Sequence, residues 1–315
     1  MSNTFLSIVI PMREGFSEHW LGELLKVKGD IEFILVHPPG VKPSPVNDPR
    51  MKQIVCALRG EIIQRSTGFL NARGTYILTI NCDEYLHPEF AIVTLVKDYF
   101  ERFPNSWVLR LARCEFPYGE REKLESTWPT IPDVNSLAIC SRRENNSNLF
   151  KDNNYLLELP IAPLDNPFNP QVFLNQRRDQ NGPHLENFDK KVWKSELVQA
   201  ATIEITNLMN LLGPIKYIPF WCLDRLLGLY IQAKYFEKER VIGHWLPNYP
   251  EQIRIEDNPP EYQRTWRFYF LSEVMLLRKF PQYGYLWNLA IYQFLELPAW
   301  MIKSLRQKII PSKSV

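Results

Sequence analysis

The chain has 315 residues, 45% of them apolar and 23% charged, a balance that supports a packed core and excludes a disordered chain. Lys plus Arg number 37 against 35 Asp plus Glu, a net of +2, which argues against nucleic-acid binding and against an acidic tail. Proline (25) outnumbers glycine (13), and no two glycines stand two apart. A G-x-G-x-x-G dinucleotide loop therefore cannot be written, nor can a G-x-x-x-x-G-K-[ST] loop, and G-x-S-x-G and H-E-x-x-H are absent. The five cysteines form no C-x-x-C pair, which speaks for a reducing, cytoplasmic setting over zinc or disulfides. The opening MSNTFLSIVIPMREG lacks the basic start of a signal peptide. Tyr285 to Ile302 is the most apolar stretch, but Asn288, Gln293, Glu296 and Pro298 interrupt it, short of the roughly 20 apolar residues a span needs.

In chain order, Phe5 to Ile10 is a β-branched run stopped by Pro11 and reads as a buried strand. Trp20, Leu21, Leu24 and Leu25 recur at helical spacing, acidic early and basic late. Ile31 to Val36 reads as a second strand, Met51 to Leu58 as a helix and Glu61 to Gln64 as a short third strand. Phe69 to Arg73 reads as a helix end closed by Gly74, and Thr75 to Ile80 as a fourth strand. Such alternation predicts an α/β fold with a mostly parallel sheet covered by helices, whose ligands bind beyond the carboxyl ends of the strands. That singles out Met12-Arg13-Glu14, His37-Pro38 and Asn81-Cys82-Asp83-Glu84.

Three segments carry a resemblance: SIVIPMRE, IEFILVHPPG and QRSTGFLNARGTYILTINCDEYLHPEF. In order and spacing they resemble family 2 glycosyltransferases, over residues 5 to about 104. Arg65, Gly68, Ala72, Gly74 and Asp83 fall in that family's register, and Pro88 matches the proline that opens its next helix. The resemblance implies a GT-A (Rossmann-like) fold and transfer of a sugar from a nucleotide-diphosphate donor to an acceptor hydroxyl with inversion, assisted by Mn²⁺ or Mg²⁺. It implies that Asp83 holds the metal, that Asn81 meets the ribose or metal, and that Arg65 meets the diphosphate. Pro11, Met12, Arg13, Glu14 and His37 would surround the base. Asn81 stands where the family has an Asp, which removes one negative charge. Chemistry asks for such parts on its own account, because a departing diphosphate gains charge that a carboxylate-held cation can neutralise.

Beyond residue 90 the helical pattern of Phe90, Val93, Leu95, Val96, Tyr99 and Phe100 precedes a strand-rich stretch from Trp107 to Phe116. Pro117 to Pro183 holds eight prolines and Asn-rich runs and reads as long loops with short strands, Ala138 to Ser141 among them. Phe188 to Leu212 resumes helical spacing. Leu223-Asp224 then fits the family's acidic pair with one acid, which makes Asp224 the expected general base or, on the plainer reading, a helix N-cap. Phe220 and Trp221 could wall it, with Asp189 and Glu196 as rival bases. His244 corresponds to a family histidine near the metal, whereas His19, His87 and His184 read as structural. The expected divisions are a nucleotide-sugar half (1–116), an acceptor half (117–250) and a C-terminal helical extension (251–315). The aromatic run to Leu305 with Lys303, Arg306, Lys308 and Lys313 suits peripheral contact with the inner face of a membrane, a cap on the core or a homo-oligomer contact. The competing function is a glycosyltransferase-like binding or scaffold protein that has lost catalysis.

Overall fold

A computed structural model describes residues 4–90, 95–141, 155–170, 184–209, 220–246, 250–257 and 269–309. Val93, the Asn-rich runs at 144–148 and 152–154, Trp266, Phe268 and Lys313 lie outside them. The first half alternates strand and helix: β1 (Leu6–Pro11), α1 (Glu18–Leu24), β2 (Ile31–His37), β3 (Met51–Val55), α2 (Glu61–Asn71) and β4 (Tyr76–Thr79). There follow β5 (Glu84–Leu86), α3 (Val96–Arg102), β6 (Val108–Arg110), β7 (Arg113–Phe116), α4 (Arg121–Glu125), β8 (Ala138–Cys140) and β9 (Tyr155–Pro160). The remainder is β10 (Lys191–Lys194), α5 (Ser195–Met209), α6 (Phe220–Lys234), β11 (Val241–Trp245), β12 (Ile253–Glu256), α7 (Phe270–Lys279) and α8 (Gly284–Ile309).

Nine strands make one sheet in the order β3-β2-β1-β4-β10-β6-β11-β9-β8. β1 lies at its heart, parallel to β2 on one side and to β4 on the other, and all six of its residues are buried. Only a strand covered on both faces reads as so unbroken an apolar run. Because side chains alternate between faces, Ile8, Phe33, Leu78 and Ile80 pack with Trp20, Leu21, Tyr99 and Phe100 of α1 and α3. Val9, Ile34, Val36 and Ile77 pack with Ile62, Phe69, Val198 and Leu227 of α2, α5 and α6. The α/β architecture expected from the sequence, a mostly parallel sheet flanked by helices, is the one found.

Three assignments need correction. Met51 to Val55 is an edge strand, parallel to β2; its mixed polarity suits a strand half exposed at a sheet edge as well as a helix. Glu61 to Asn71 is one continuous helix, so no strand exists at Glu61–Gln64. Its buried face, including Gln64, Arg65 and Ser66, is polar where it meets the strand ends and hid the helical period. Lys191–Lys194 is a strand before α5 begins, antiparallel to both β4 and β6. It brings the chain from the second half into the middle of the sheet. α2 sits tight on β1 because residue 68 is glycine: a Cβ there would lie 2.2 Å from Val9 Cγ1.

A smaller sheet, β5-β12-β7, follows directly after Asp83 and flanks the carboxyl end of β4. The C-terminal helices α7 and α8 pack through Met275, Leu276, Tyr285, Leu286 and Leu289 into the same core as α6.

Candidate active site at the strand ends

β1, β2 and β4 run parallel, so their carboxyl ends open on one edge of the sheet. Gln64 of α2 clamps two of those ends, its amide donating to Met12 O (2.8 Å) and to Val36 O (2.6 Å). With its backbone pinned, the turn after β1 keeps Met12 inside and turns Arg13 and Glu14 to solvent. Arg13 reaches across to Asp83, Nη1 to Oδ2 3.1 Å, both side chains about half exposed or more (64% and 49%).

His37 stands at the end of β2 but faces inward. Its side chain is fully buried, Nε2 lies 2.9 Å from Gln53 Oε1, and Nδ1 has no hydrogen-bond partner. Burial lowers its pKa against the opposing hydrogen bond. Of the five residues expected around a base, Arg13 and Glu14 are the ones presented; Pro11, Met12 and His37 support the turn from within.

Arg65 is the centre of the site's polar network, and it is buried. Nε donates to Glu61 Oε1 (2.9 Å), Nη1 to Thr79 Oγ1 (2.8 Å) and Asp189 Oδ1 (3.0 Å), and Nη2 to Asn81 Oδ1 (2.7 Å). A planar guanidinium offers five N–H donors in a fixed fork, and here they point into protein. Where a diphosphate contact is expected of Arg65, the guanidinium instead holds Glu61, Thr79, Asp189 and Asn81 together. Burial opposes its charge, but Asp189 and Glu61 outweigh that and raise its pKa. Asn81 is held at both ends, its Nδ2 donating to Glu84 Oε1 (2.7 Å), while Glu84 pairs with Lys190 at 2.9 Å.

Asp189, a rival base by sequence, and its neighbours Lys190 and Lys191 stand at the entry to β10 rather than in a helix. Lys190 adopts a positive φ of 58°, unusual for a side chain of this size. The kink sends Asp189 toward Arg65 and Lys190 toward Glu84. Asp189 also donates its backbone N–H to Asp224 Oδ1. That bond comes from the loop, and Asp224 lies one turn inside α6, so its expected N-cap role is not what the structure shows. The environments of the two carboxyls push them apart. Asp224 is raised, by burial first and then by the charge of Asp189; Asp189 is lowered, with Arg65, Lys190 and Lys191 overcoming its burial. Lys191, also buried, is lowered to about 8, mainly by desolvation, and its Nζ donates to Asp189 O at 2.8 Å. Such a split between neighbouring acids is the usual mark of acid–base chemistry.

Asp83 belongs to the same field: after burial and the opposing pull of Arg65, the charges of Asp189 and Asp83 help to raise Glu61. The structure thus joins Asn81, Arg65, Asp189 and Asp224, sets Asp83 nearby in its pair with Arg13, and leaves out two others. Glu196 is exposed in the first turn of α5. His244 is buried within β11, its Nδ1 2.9 Å from the Tyr99 hydroxyl and its ring 4.3 Å from that of Phe103. Through the pairs His244–Leu109, Leu109–Val192 and Val192–Leu78, it lies three strands from β4, about 14 Å at sheet spacing. The structure does not bring His244, expected near the metal, to Asp83; it sits in the core. His87 is likewise structural, accepting from Glu89 N at Nδ1 and bonding Pro129 O through Nε2. Phe220 and Trp221 lie on α6, but their side chains are outside the described residues.

Among the described residues no three His, Cys, Asp or Glu side chains converge on a metal position. Asp83 remains, a half-exposed carboxylate at a strand end. That fits a hard cation held by one carboxylate while substrate phosphates and water complete its shell. A cavity of about 790 Å³ lies apart from these strand ends, between α1 and the 124–131 segment, with Trp128 and His87 in its wall.

On the other side of α6 the next residue, Arg225, is buried between two acids. Nη1 lies 2.6 Å from Glu186 Oε2 and Nη2 3.1 Å from Glu273 Oε1 of α7. The Tyr285 hydroxyl of α8 donates to Glu186. α6 reaches this position because residue 228 is glycine: a Cβ there would lie 2.3 Å from Glu186 O.

No protein-family model matches the chain, and no curated protein matches it. Among solved structures it is similar to residues 1–349 of TarS from S. aureus, 13% identical with a TM-score of 0.46, the match covering 87% of this chain and 65% of that one. The same fragment in complex with UDP-GlcNAc matches at 12% identity and a TM-score of 0.46, covering 87% and 66%. Its complex with UDP matches at 13% and 0.44, covering 87% and 65%. The chain thus spans a little under two thirds of the TarS fragment's length.

Proposed function

We propose that this protein is a glycosyltransferase that moves a sugar from a nucleotide-diphosphate donor to an acceptor hydroxyl, with inversion at the anomeric carbon. The observation that carries the reading is the single network that ties Asn81, at the end of β4, through Arg65 to Asp189 and Asp224. It places a carboxyl of raised pKa beside the strand ends, where α/β sheets take nucleotides. Asp224 accepts the proton of the acceptor hydroxyl as that oxygen bonds to the anomeric carbon. The bond from that carbon to the diphosphate oxygen breaks, and the nucleoside diphosphate leaves with the electron pair. A raised pKa makes Asp224 a stronger base than an ordinary carboxylate. Arg13 and Glu14 lie on the solvent side of the donor position, and Arg65 holds the acids in place.

Asp83 would hold Mn²⁺ or Mg²⁺, without help from His244. Such an ion neutralises charge on the leaving diphosphate. With one protein carboxylate its affinity depends on the nucleotide, so metal and donor should bind together.

The rival is a nucleotide-sugar binding or scaffold protein without catalysis. It is favoured by Asn81, whose amide is engaged by Arg65 and Glu84 and adds no negative charge. The test is thermal unfolding with UDP, GDP, CDP and dTDP and their sugar conjugates, each with and without Mn²⁺, followed by assay of nucleoside diphosphate release. A ligand at 100 times its Kd adds about 2.7 kcal/mol of stability. A shift with one nucleotide and release of its diphosphate supports transfer. A shift without release supports the binding protein, and no shift at saturation removes both.

A further inference from the structure

The helix α8 is apolar on two opposite faces. Tyr285, Leu286 and Leu289 are buried against the body of the protein. Trp287, Phe294, Leu295, Met301 and Ile302 are exposed, at 42%, 56%, 54%, 51% and 54%. At 3.6 residues per turn these five positions share an arc of about 120°. By position Leu305 continues the arc, and Arg306 and Lys308 stand on its two borders. The chain carries Lys303, Arg306, Lys308 and Lys313 after Glu296 and no further acid, whereas the whole chain is only +2. An isolated exposed apolar residue needs no explanation, but a continuous stripe marks an interaction surface. No helix among the described residues is long and apolar enough to cross a bilayer.

From this arrangement we infer that α8 docks the protein on an anionic lipid surface. The helix lies in the plane of the interface, with the Trp287–Ile302 stripe among the acyl chains and the C-terminal cations against the headgroups. An apolar arc bordered by cations is what such a surface requires, because long basic side chains can lie along lipid while their charges reach the headgroups. A protein partner would need its own acidic rim around an apolar groove; anionic lipid supplies both at once. The inference stands independently of the transfer reaction, and its test needs no donor or acceptor.

The full chain is sedimented with vesicles of phosphatidylcholine alone and of phosphatidylcholine containing phosphatidylglycerol, at low and high salt, and its mass in solution is measured by light scattering. Binding at least tenfold tighter to the anionic vesicles is expected, weakening as salt screens the charges. The double variant Leu295→Glu, Ile302→Glu should lose tenfold or more of that binding while its thermal unfolding stays unchanged, since both side chains are exposed. Absence of anionic preference, or retention of binding by the variant, overturns the inference. So does a wild-type dimer that the variant converts to a monomer, which would assign the stripe to a second copy of the chain.

Discussion

Arg65 and Asp189 stand 124 positions apart in sequence and meet at 3.0 Å, an ion pair that ties α2 to the loop before β10, whose backbone also bonds Asp224 of α6. Both side chains are largely withdrawn from water, 5% and 17% exposed. Removing one partner of such a pair leaves the other charge buried without compensation. Arg65→Met is expected to lower stability by about 3–5 kcal/mol, read by urea unfolding. Combined with Asp189→Asn in a double-mutant cycle it should show coupling of about 1–3 kcal/mol. Additive losses would show that the pair holds nothing together.

Asp224→Asn should leave the nucleotide-dependent thermal shift intact and abolish transfer. In the unsubstituted protein the base is active when deprotonated, so kcat falls as pH drops through its pKa. Because that pKa is raised, the acid limb of the pH–rate profile should lie above the roughly 3.9 of an ordinary aspartate. An acid limb at or below that value would move the base elsewhere, with Asp189 the nearest carboxyl.

Asp83→Ala should abolish the Mn²⁺-dependent part of nucleotide binding. Its ion pair with Arg13 is exposed, so the unliganded protein should keep its stability within about 1 kcal/mol. A nucleotide shift that is the same with Mn²⁺ and with a chelator, in wild type and variant alike, would hand the diphosphate charge to Arg13.

His244 titrates at about 4, chiefly because burial disfavours its charged form, against about 6.5 in an unfolded chain. Between those values the unfolded chain binds more protons than the folded one. Stability from neutral His244 is therefore complete above pH 6.5 and is lost as pH falls toward 4, by an amount on the order of 3 kcal/mol. His37 and His87 are lowered in the same sense, so the difference between wild type and His244→Phe isolates this residue. The variant should flatten the stability–pH curve over that window, and its Mn²⁺-dependent nucleotide shift should be unchanged. Loss of that shift would restore His244 to the metal site.

The parallel core was legible because apolar runs such as LSIVIP and FILV have no other comfortable home than a strand buried on both faces. The helical stretch from Glu61 was not, because its inward face is built of Gln64, Arg65 and Ser66, polar groups that only a partner distant in sequence can satisfy. Asn81 and Asp83 could be singled out from their place after a strand, and Asp224 through the resemblance to the family's acidic pair. Lys190, Lys191 and Glu61 could not, since each becomes a site residue only through the antiparallel entry of β10 beside β4. A run such as Asp189-Lys190-Lys191 has no periodicity to distinguish it from a solvated loop. The inward placement of His244 and Arg65 was not legible for the same reason: sequence register locates a backbone position but not the direction in which its side chain is satisfied.

The adjacent side chains of Asp224 and Arg225 leave α6 on different errands, one to the strand ends and one to Glu186 and to Glu273 of α7. The C-terminal helices are consequently not a detachable module. A chain cut before α7 would strip Arg225 of one of its two counter-charges, in the same helical turn that aims the candidate base, and would uncover the core face that Leu276, Leu286 and Leu289 close. Fragments made to isolate a minimal nucleotide-binding unit should therefore keep residues through α8, and natural variation in those helices should be felt at the base.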